Sequence, residues 1–422
     1  MSTSSATMLE NTLVNLRRSI ELGRFPDTLY KVLSKPERAV IASIPVRMDD
    51  GRIEVFEAYR VQHCSVLGPY KGGVRFHPNV TLEDDIALAT IMTLKNSLAN
   101  LPYGGGKGAV RVDQRSLSRR ELEELSRGYV RAFYPVLGEL LDIPGPDAGT
   151  DPQVMAWMVD ECCKMSCRPS PASFTGKPVE LGGDPVRLYA TGFGCAVVTK
   201  LAAEEFLGSS KNSTLAIQGF GNVGSWHAYW ASKMGFKVIA ISDIGGTIFD
   251  PNGIDVEKAL QIARESGTVR NYPAEQYFSD TKMALFVEAD VVAADALENQ
   301  ITRENAQKVK AKLVIEGANA PVTPEAEKIL TERGVTVIPD ILANAGGVIT
   351  SYFEWAQNIQ RWSWGEEETR SRLTRFMEYN FNRVKERWKT LKLERGNVTL
   401  RDAALVTALE RIYAAMKLRG WL

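Results

Sequence analysis

The sequence has no excess of charge of either sign, no long apolar run and few cysteines. Its 422 residues include 51 acidic and 51 basic side chains, so the formal net charge is zero. A protein that binds nucleic acid or a membrane surface would usually carry a basic excess. No apolar run reaches the ~18–20 residues that a membrane helix requires, and the small polar start lacks the pattern of a signal peptide. The sequence therefore predicts a cytoplasmic protein with no nucleic-acid and no membrane partner.

The cysteines predict neither a disulfide framework nor a zinc site. An odd count without paired spacing is typical of reduced thiols in a reducing compartment. Cys162, Cys163 and Cys167 lie close together, but no fourth ligand follows at the spacing of a zinc site. We therefore expect no metal.

The length of the chain and the order of its apolar and helical segments predict an α/β fold of two domains. A chain of 422 residues is longer than a single hydrophobic core usually accommodates. Residues 168–185 are rich in glycine, proline and polar residues, and this segment is the candidate hinge between the two domains. Beyond it, apolar strand-sized runs alternate with helical stretches, the rhythm of a buried parallel sheet with helices on both faces. The predicted strands there are 214–218, 237–242, 289–293, 313–316 and 335–338.

The first half shows more mixed signals. Residues 39–46 and 53–61 are predicted as two strands around a turn, and a further strand is predicted at 108–112. A helix is predicted over 82–100 with Thr81 as its N-cap, and a second over 118–141, where Ser118 and Glu121 form a capping box.

A glycine-rich segment predicts a dinucleotide site. The strand 214–218 runs into Gly219-x-Gly221-x-x-Gly224, and a helical stretch follows. The first glycine permits a tight turn, the second admits a pyrophosphate, and the third lets the helix pack on the strand. Asp243 follows at the end of the next strand, where an acidic residue binds the ribose.

Asp243 also bears on the choice of coenzyme. A carboxylate there accepts bonds from a ribose 2′-hydroxyl and repels a 2′-phosphate. Residues 244–247 include no Lys or Arg that would hold a phosphate. NAD is therefore favoured, and NADP remains open because a cation can arrive from another loop.

Three lysines, Lys71, Lys95 and Lys107, stand in glycine-rich or apolar sequence. Such surroundings suit a water-excluding pocket for a small molecule with more than one carboxylate. Lys71 has the alternative of an exposed loop position and Lys95 that of a side chain extending to solvent, whereas a solvated Lys107 would gain nothing from its four glycines. Clustered, desolvated lysines favour one neutral amine, which can act as a general base.

Asp147 is a further candidate, because it stands on a proline-stiffened loop before a helical stretch. It is predicted either as a helix cap, for which Asp151 is an equal candidate, or as a proton carrier that reaches the lysine pocket.

Six segments carry a family resemblance. They are Gly-Pro-Tyr-Lys-Gly-Gly-Val-Arg-Phe-His-Pro, Met-Thr-Leu-Lys-Asn, Pro-Tyr-Gly-Gly-Gly-Lys-Gly, Pro-Asp-Ala-Gly-Thr-Asp, Ala-Thr-Gly-Phe-Gly and Asn-Ala-Gly-Gly-Val-Ile-Thr-Ser-Tyr-Phe-Glu. In this order they resemble the signatures of hexameric glutamate dehydrogenases, within the superfamily that acts on Glu, Leu, Phe or Val.

The resemblance implies a reaction and a role for each matching residue. A homohexamer would convert L-glutamate reversibly to 2-oxoglutarate and ammonia, with NAD as the favoured coenzyme and NADP as the alternative. Lys107 and Asp147 would be catalytic. The implied substrate contacts are Lys71, Lys95, Ser351 and Val348, and the implied coenzyme contacts are Thr191, Gly219, Gly221, Asn222, Val223, Gly224, Asp243, Asn319 and Asn344.

The resemblance also implies what each domain does. Residues 1–184 would form a substrate and oligomerisation domain, to which a C-terminal helix of about 398–422 returns. Residues 185–397 would form a Rossmann-like dinucleotide domain, with a cleft between the two.

Two alternatives remain open. A leucine, valine or phenylalanine dehydrogenase would carry an apolar residue where Lys71 stands, because a lysine facing an apolar side chain is left unpaired. A regulatory subunit of a mixed hexamer would have lost Lys107 or Asp147, and both are present.

Overall fold

The computed structural model describes residues 7–422, which form two compact units. Of these residues, unit 1 comprises 7–185, Thr350–Thr369 and Leu405–Leu422, and unit 2 comprises Val186–Ile349 and Arg370–Ala404. The prediction differs from this division at 350–369, which was assigned to the dinucleotide domain, and at 398–404, which was assigned to the first. Helical periodicity alone does not tell which core a helix joins. The helical pattern of this part of the sequence therefore gave no sign that the chain passes from one unit to the other at these two places.

Unit 1 is built on a five-stranded sheet with the order β1-β2-β4-β3-β5. Its strands are β1 (Arg38–Arg47), β2 (Ile53–Cys64), β3 (Tyr70–Phe76), β4 (Gly104–Val110) and β5 (Asp142–Pro146). Its helices before the unit boundary are α1 (Met8–Leu22), α2 (Asp27–Leu33), α3 (Leu82–Leu98), α4 (Arg119–Phe133) and α5 (Pro152–Ser166). β1, β2 and β4 pair antiparallel, whereas β3 lies parallel to both β4 and β5.

Capping chemistry sets the helix starts as predicted. Thr81 and Ser118 each accept a bond from the backbone N–H three residues later, and each donates its own backbone N–H to the carboxylate of that same residue. The predicted end of the second helix at 141 is wrong, because α4 stops at Phe133 and a short 3-10 turn containing Pro135 follows.

The glycine-rich and proline-rich segments are strands, which corrects the prediction. β4 starts at Gly104 rather than at residue 108, and β3 and β5 were not predicted as strands. Gly105 shows the reason, since a Cβ there would lie 2.1 Å from Thr93 Oγ1 and 2.4 Å from the Ala89 carbonyl oxygen. Only glycine allows α3 to pack this closely on β4.

The two faces of this sheet differ in character. One face is covered by α4 and α5 and holds a large apolar core that includes Phe76, Tyr129, Phe133 and Phe174. The other face packs against α3, where Tyr59, Val80 and Ala109 form a small cluster with Leu82. The functional side chains described below lie on this second face.

Unit 2 is built on a seven-stranded sheet with the order β12-β11-β10-β6-β7-β8-β9. Its strands are β6 (Thr214–Gln218), β7 (Lys237–Asp243), β8 (Gly246–Phe249), β9 (Gln276–Phe278), β10 (Val291–Ala294), β11 (Leu313–Glu316) and β12 (Thr336–Ile338). β6, β7, β10, β11 and β12 run parallel, and β8 and β9 add an antiparallel edge. The five predicted strands of this half correspond to β6, β7, β10, β11 and β12, with ends that shift by at most two residues.

The remaining helices complete the chain. They are α6 (Ala190–Phe206), α7 (Asn222–Lys233), α8 (Val256–Ser266), α9 (Pro324–Glu332), α10 (Asp340–Ala343), α11 (Gly346–Gln360), α12 (Glu366–Arg395) and α13 (Leu400–Leu418). Within residues 7–422 no helix is long and apolar enough to cross a membrane. The same described part of the chain contains no group of side chains suited to a metal ion, and its cysteines are free thiols.

Candidate active site

Lys107, Asp147 and Arg75 form one ionic cluster in unit 1. Arg75 donates its Nε–H to Asp147 Oδ1 at 2.8 Å, and the Lys107 ammonium pairs with Oδ2 of the same carboxylate. Lys107 is only 4% exposed, while the Asp147 side chain retains 21% of its accessible surface. The lysine is thus enclosed and its carboxylate partner can still be reached from solvent.

Strand register brings these residues to one face of the sheet. Residue 71 of β3 pairs with Gly105 of β4 and with Ile143 of β5, and Arg75 pairs with Ala109. Side chains at alternate positions point to the same side of a strand, so the odd-numbered positions of all three strands share the face that packs against α3. Asp147 follows β5 at the next position in this series.

Glycines make room for the cluster. A Cβ on Gly73 would lie 2.8 Å from the Asp147 Cβ, and a Cβ on Gly145 would lie 2.9 Å from Lys71 Nζ. Side chains at these two positions would displace Asp147 or the Lys71 ammonium. These two glycines therefore leave space at the sheet surface for the Asp147 carboxylate and the Lys71 ammonium.

The charge of Asp147 is held by its partners. Burial by itself would raise the pKa of this carboxyl, but the charges and hydrogen bonds of Lys107 and Arg75 outweigh burial and hold its pKa well below the usual value. Its backbone N–H donates to Thr150 Oγ1 at 2.8 Å, which fixes the loop. Asp147 is therefore an anchored carboxylate at neutral pH.

The structure decides between Asp147 and Asp151 as the helix cap. Asp151 is the N-cap of α5, and its side chain accepts a bond from the Val154 N–H at 2.9 Å. Asp147 has no part in the cap and faces Lys107 and Arg75 instead. This leaves Asp147 available for proton transfer.

Lys71 is not an exposed loop lysine. It lies in β3 with 3% of its surface exposed, and its ammonium is near Gly145 and Thr175. Lys95 is partly buried in the last turn of α3. The next residue, Asn96, donates its side-chain N–H to the Lys71 carbonyl at 3.4 Å and to the Gly104 carbonyl at 2.6 Å. This contact ties the Lys95 end of α3 to the strands that carry Lys71 and Lys107.

Ser351 and Val348 both lie on α11. Ser351 is buried and belongs to unit 1, whereas Val348 is partly buried and belongs to unit 2. The ion pairs that join Lys107, Asp147 and Arg75 do not include either residue. Their assignment to the substrate therefore rests on the resemblance.

The opposite face of the sheet carries a second ion pair that sequence reasoning missed. Arg60 donates to both carboxylate oxygens of Asp142, with Nε to Oδ2 at 2.8 Å, and both side chains are fully buried. Gln62 adds a bond to Oδ2 at 2.9 Å, and Arg60 Nη1 donates to the Gly72 carbonyl at 3.3 Å. Burial would lower the pKa of Arg60, but Asp142 outweighs burial and raises it, so the guanidinium stays charged. The pair connects the strands that carry Lys71 and Asp147.

Arg75 was also missed. Its signal is its position four residues after Lys71 in the same strand, which places both side chains on one face. That signal becomes visible only once the Gly-Gly segment is recognised as a strand.

The phosphate loop of unit 2 has the geometry that the glycine motif predicts. Gly219 has φ +97, and a Cβ there would lie 2.7 Å from Ala296. A Cβ on Gly224 would lie 1.8 Å from the Gly219 carbonyl oxygen, whereas the space beside Gly221 is open. α7 begins at Asn222 without a side-chain cap, so its first N–H groups, including that of Val223, remain available to an anion. These residues fit a dinucleotide pyrophosphate.

Asp243 ends β7 and is held by three donors. Its Oδ1 accepts from the Gly245 N–H at 2.7 Å and from Thr268 Oγ1 at 2.9 Å, and its Oδ2 accepts from the Val269 N–H at 2.6 Å. Arg270 follows on the same loop and stacks on the Tyr277 ring at 5.0 Å. A cation from a distant segment therefore does lie near this strand end.

Two further predicted coenzyme residues come together. Asn344 donates its side-chain N–H to Asn319 Oδ1 at 3.0 Å and to the Gly317 carbonyl at 3.2 Å, just beyond β11. Thr191 is partly buried in the first turn of α6, and its Oγ1 would lie 2.7 Å from a Cβ on Gly347. All three are in unit 2 with the glycine loop.

The fold and these residues define a dinucleotide-dependent enzyme that acts on a small anionic substrate. The chain belongs to the Glutamate/Leucine/Phenylalanine/Valine dehydrogenase family. The family model matches residues 182–420, and the model of the family's dimerisation domain matches residues 36–164. The predicted superfamily and its mixed α/β fold are confirmed.

Similar proteins cover nearly the whole chain. An NADP(+)-dependent glutamate dehydrogenase of Pyrobaculum calidifontis is 57% identical over 98% of both chains. An NAD-specific glutamate dehydrogenase of Clostridioides difficile is 44% identical over 95% of both. The crystal structure of a hetero-hexameric glutamate dehydrogenase from Thermus thermophilus, with Leu bound, is 35% identical with a TM-score of 0.91, covering 99% of this chain and 98% of that one.

Proposed function

We propose that this protein is a glutamate dehydrogenase that converts L-glutamate reversibly to 2-oxoglutarate and ammonia. The observation that carries the proposal is the enclosed Lys107–Asp147–Arg75 cluster, with a second buried lysine, Lys71, on the same sheet face. A carboxylate complements the charge of a buried ammonium such as that of Lys71, and glutamate supplies two carboxylates. The whole-chain likeness to glutamate dehydrogenases supports the same reaction.

The substrate is held by its two carboxylates. We assign Lys71, with Ser351, to the side-chain carboxylate and Lys95 to the α-carboxylate. An apolar substrate would offer no carboxylate to the buried Lys71 ammonium and would forgo a charged hydrogen bond worth about 1.5–3 kcal/mol. A leucine, valine or phenylalanine substrate is therefore disfavoured.

When bound, a nicotinamide would accept the hydride that leaves Cα. Lys107, when neutral, takes a proton from the water that attacks the resulting iminium carbon. Asp147 carries protons to and from the nitrogen that leaves as ammonia. The hydrogen bond that Arg75 donates orients the Asp147 carboxylate, and the hydrogen bond that Lys107 donates to it provides a direct path for the proton.

We propose that NAD is the favoured coenzyme. The support is the Asp243 carboxylate, which is fixed at the end of β7 and would repel a 2′-phosphate. Arg270 is the feature that would permit NADP. Among the relatives, the Pyrobaculum protein is named for NADP and the Clostridioides protein for NAD. Steady-state rates with each coenzyme decide the preference.

We propose a homohexamer. In unit 1, the exposed apolar side chains Ile41, Ile53 and Val55 lie on the hairpin of β1 and β2, and β1 is an edge strand. Such an edge suits pairing with another copy, and the domain match is described as a dimerisation domain. Light scattering on the purified chain tests this.

The deciding experiment is an assay of the purified chain alone. Oxidation of L-glutamate, with matching formation of reduced nicotinamide, supports the proposal. A folded chain that turns over glutamate in neither direction would instead be a regulatory subunit of a mixed hexamer. We also propose a cytoplasmic location, in keeping with the free cysteines, which cell fractionation tests.

A further inference from the structure

Asp85 is a buried carboxyl that the proposed mechanism does not use. It lies in the first full turn of α3 and is fully buried. Neither of its oxygens has a hydrogen-bond partner within residues 7–422. Buried carboxylates are almost always paired, because an isolated one costs several kcal/mol. Asp85 therefore requires a physical explanation.

The packing of α3 on β4 places Asp85 beside Lys107. At one end of this contact, Asn96 bonds the Gly104 carbonyl, and Ala89 lies over Gly105. At the other end, Leu82 packs against the cluster that Ala109 forms with Tyr59 and Val80. The helix therefore runs antiparallel to the strand.

Residue 85 lies between these two contacts on the helix, and residue 107 lies between them on the strand. Asp85 also stands one turn before Ala89, on the same helix side. Its carboxyl therefore faces the strand position that carries Lys107.

The other charged groups near Asp85 come from every element around it. They are Lys107 on β4, Arg60 on β2, Asp147 after β5 and Arg75 on β3, with the phenols of Tyr59 and Tyr129 nearby and Glu83 and Asp84 on its own helix turn. Lys107 has the largest electrostatic interaction with Asp85 among them. Burial raises the pKa of Asp85 to about 7, and Lys107 and Arg60 reduce this effect without cancelling it. Asp85 thus changes its charge near neutral pH.

We propose that Asp85 is a positioning residue that controls how readily Lys107 gives up its proton. When Asp85 is ionised, its negative charge favours the ammonium form of Lys107. When Asp85 is neutral, that bias is absent. The inference rests on the proposed role of Lys107 as a general base, which is active only as the free amine. Asp85 touches neither substrate nor coenzyme in this account and acts through Lys107.

The pH profile of glutamate oxidation tests the proposal. Asp85→Asn and Asp85→Val each remove the charge, so the acidic limb of kcat/KM should move to lower pH by about one unit, the scale of one nearby charge in a poorly solvated site. Asp85→Glu should keep the limb near its original place. Glu83→Gln removes an exposed charge from the same helix turn and should not move it.

A second measurement needs no coenzyme. An aspartate in the unfolded chain titrates near about pH 3.9, and its pKa is about 7 in the folded protein. Ionisation of Asp85 therefore costs stability progressively between these two values, and the full cost remains at higher pH. Asp85→Val should raise the unfolding midpoint relative to wild type more at about pH 8 than at about pH 5.

The two measurements separate the possible outcomes. A limb that stays in place in both charge-removing variants, while the protein remains folded, overturns the proposal. A wild-type chain without glutamate turnover refutes the proposed function instead, and the unfolding comparison then still reports on Asp85. If the difference in unfolding midpoint between wild type and Asp85→Val does not change with pH, Asp85 does not titrate. That result also overturns the proposal.

Discussion

Replacing Lys71 by Leu is expected to reverse the substrate preference. The side chain is 3% exposed, and its ammonium lies against Gly145 within the sheet. Water therefore screens its attraction to a bound carboxylate only weakly. Removing one partner of a buried, hydrogen-bonded charge pair costs about 2–5 kcal/mol. With a factor of ten for about 1.4 kcal/mol, kcat/KM for L-glutamate should fall by about thirty-fold to several thousand-fold.

The same change should admit apolar substrates. Leu at position 71 replaces a charged group by an apolar one that an apolar substrate side chain can contact, so kcat/KM for norvaline or leucine should rise above the wild-type value. Formation of reduced nicotinamide with each amino acid measures both effects. Lys164→Leu removes an exposed lysine of α5 and is the matched control. A folded Lys71→Leu enzyme that still prefers glutamate would refute the reasoning.

Three other substitutions test the ion pairs and the coenzyme site. Lys107→Arg should abolish turnover while dinucleotide binding, followed by fluorescence, stays nearly unchanged, because a guanidinium does not release its proton. Arg60→Met should lower the free energy of unfolding by about 3–5 kcal/mol, because it leaves Asp142 buried without its counter-ion. A second change of Asp142 to Leu should recover most of that loss in denaturant titrations. Asp243→Ser should raise the ratio of NADP to NAD rates, whereas Arg270→Ala should lower it, and opposite shifts in steady-state kinetics would contradict the assignment.

The dinucleotide unit follows from its sequence more directly than the substrate unit. Its strands are short, apolar and β-branched, and buried parallel strands have this composition. The backbone conformation of the glycine loop is tightly restricted, because Gly219 has a positive φ and Gly224 packs directly against the Gly219 carbonyl oxygen. Local pattern and tertiary structure agree there, so the prediction needs no long-range information.

The substrate sheet could not be predicted in the same way. β3, β4 and β5 contain glycine and proline, which disfavour strands in isolation. They are strands because a helix and neighbouring side chains must approach their backbone closely, as at Gly105 and Gly145. Those demands come from residues distant in sequence. The lysines were recognisable as unusual, but Arg75, Asp85 and Arg60 acquire meaning only from the faces on which the sheet places them.

The two ion pairs of this sheet explain why only one of them is suited to chemistry. Asp142 and Asp147 stand at the two ends of β5, and each pairs with a cation. The Asp142 partner is Arg60, a guanidinium that keeps its charge, so that buried pair is permanent and braces β3 against β5. The Asp147 partner is Lys107, an amine that can lose its proton when its surroundings change. The carboxylate at the start of β5 is thus paired with a guanidinium and the carboxylate that follows β5 with an amine, and this choice of arginine or lysine determines which pair can exchange a proton.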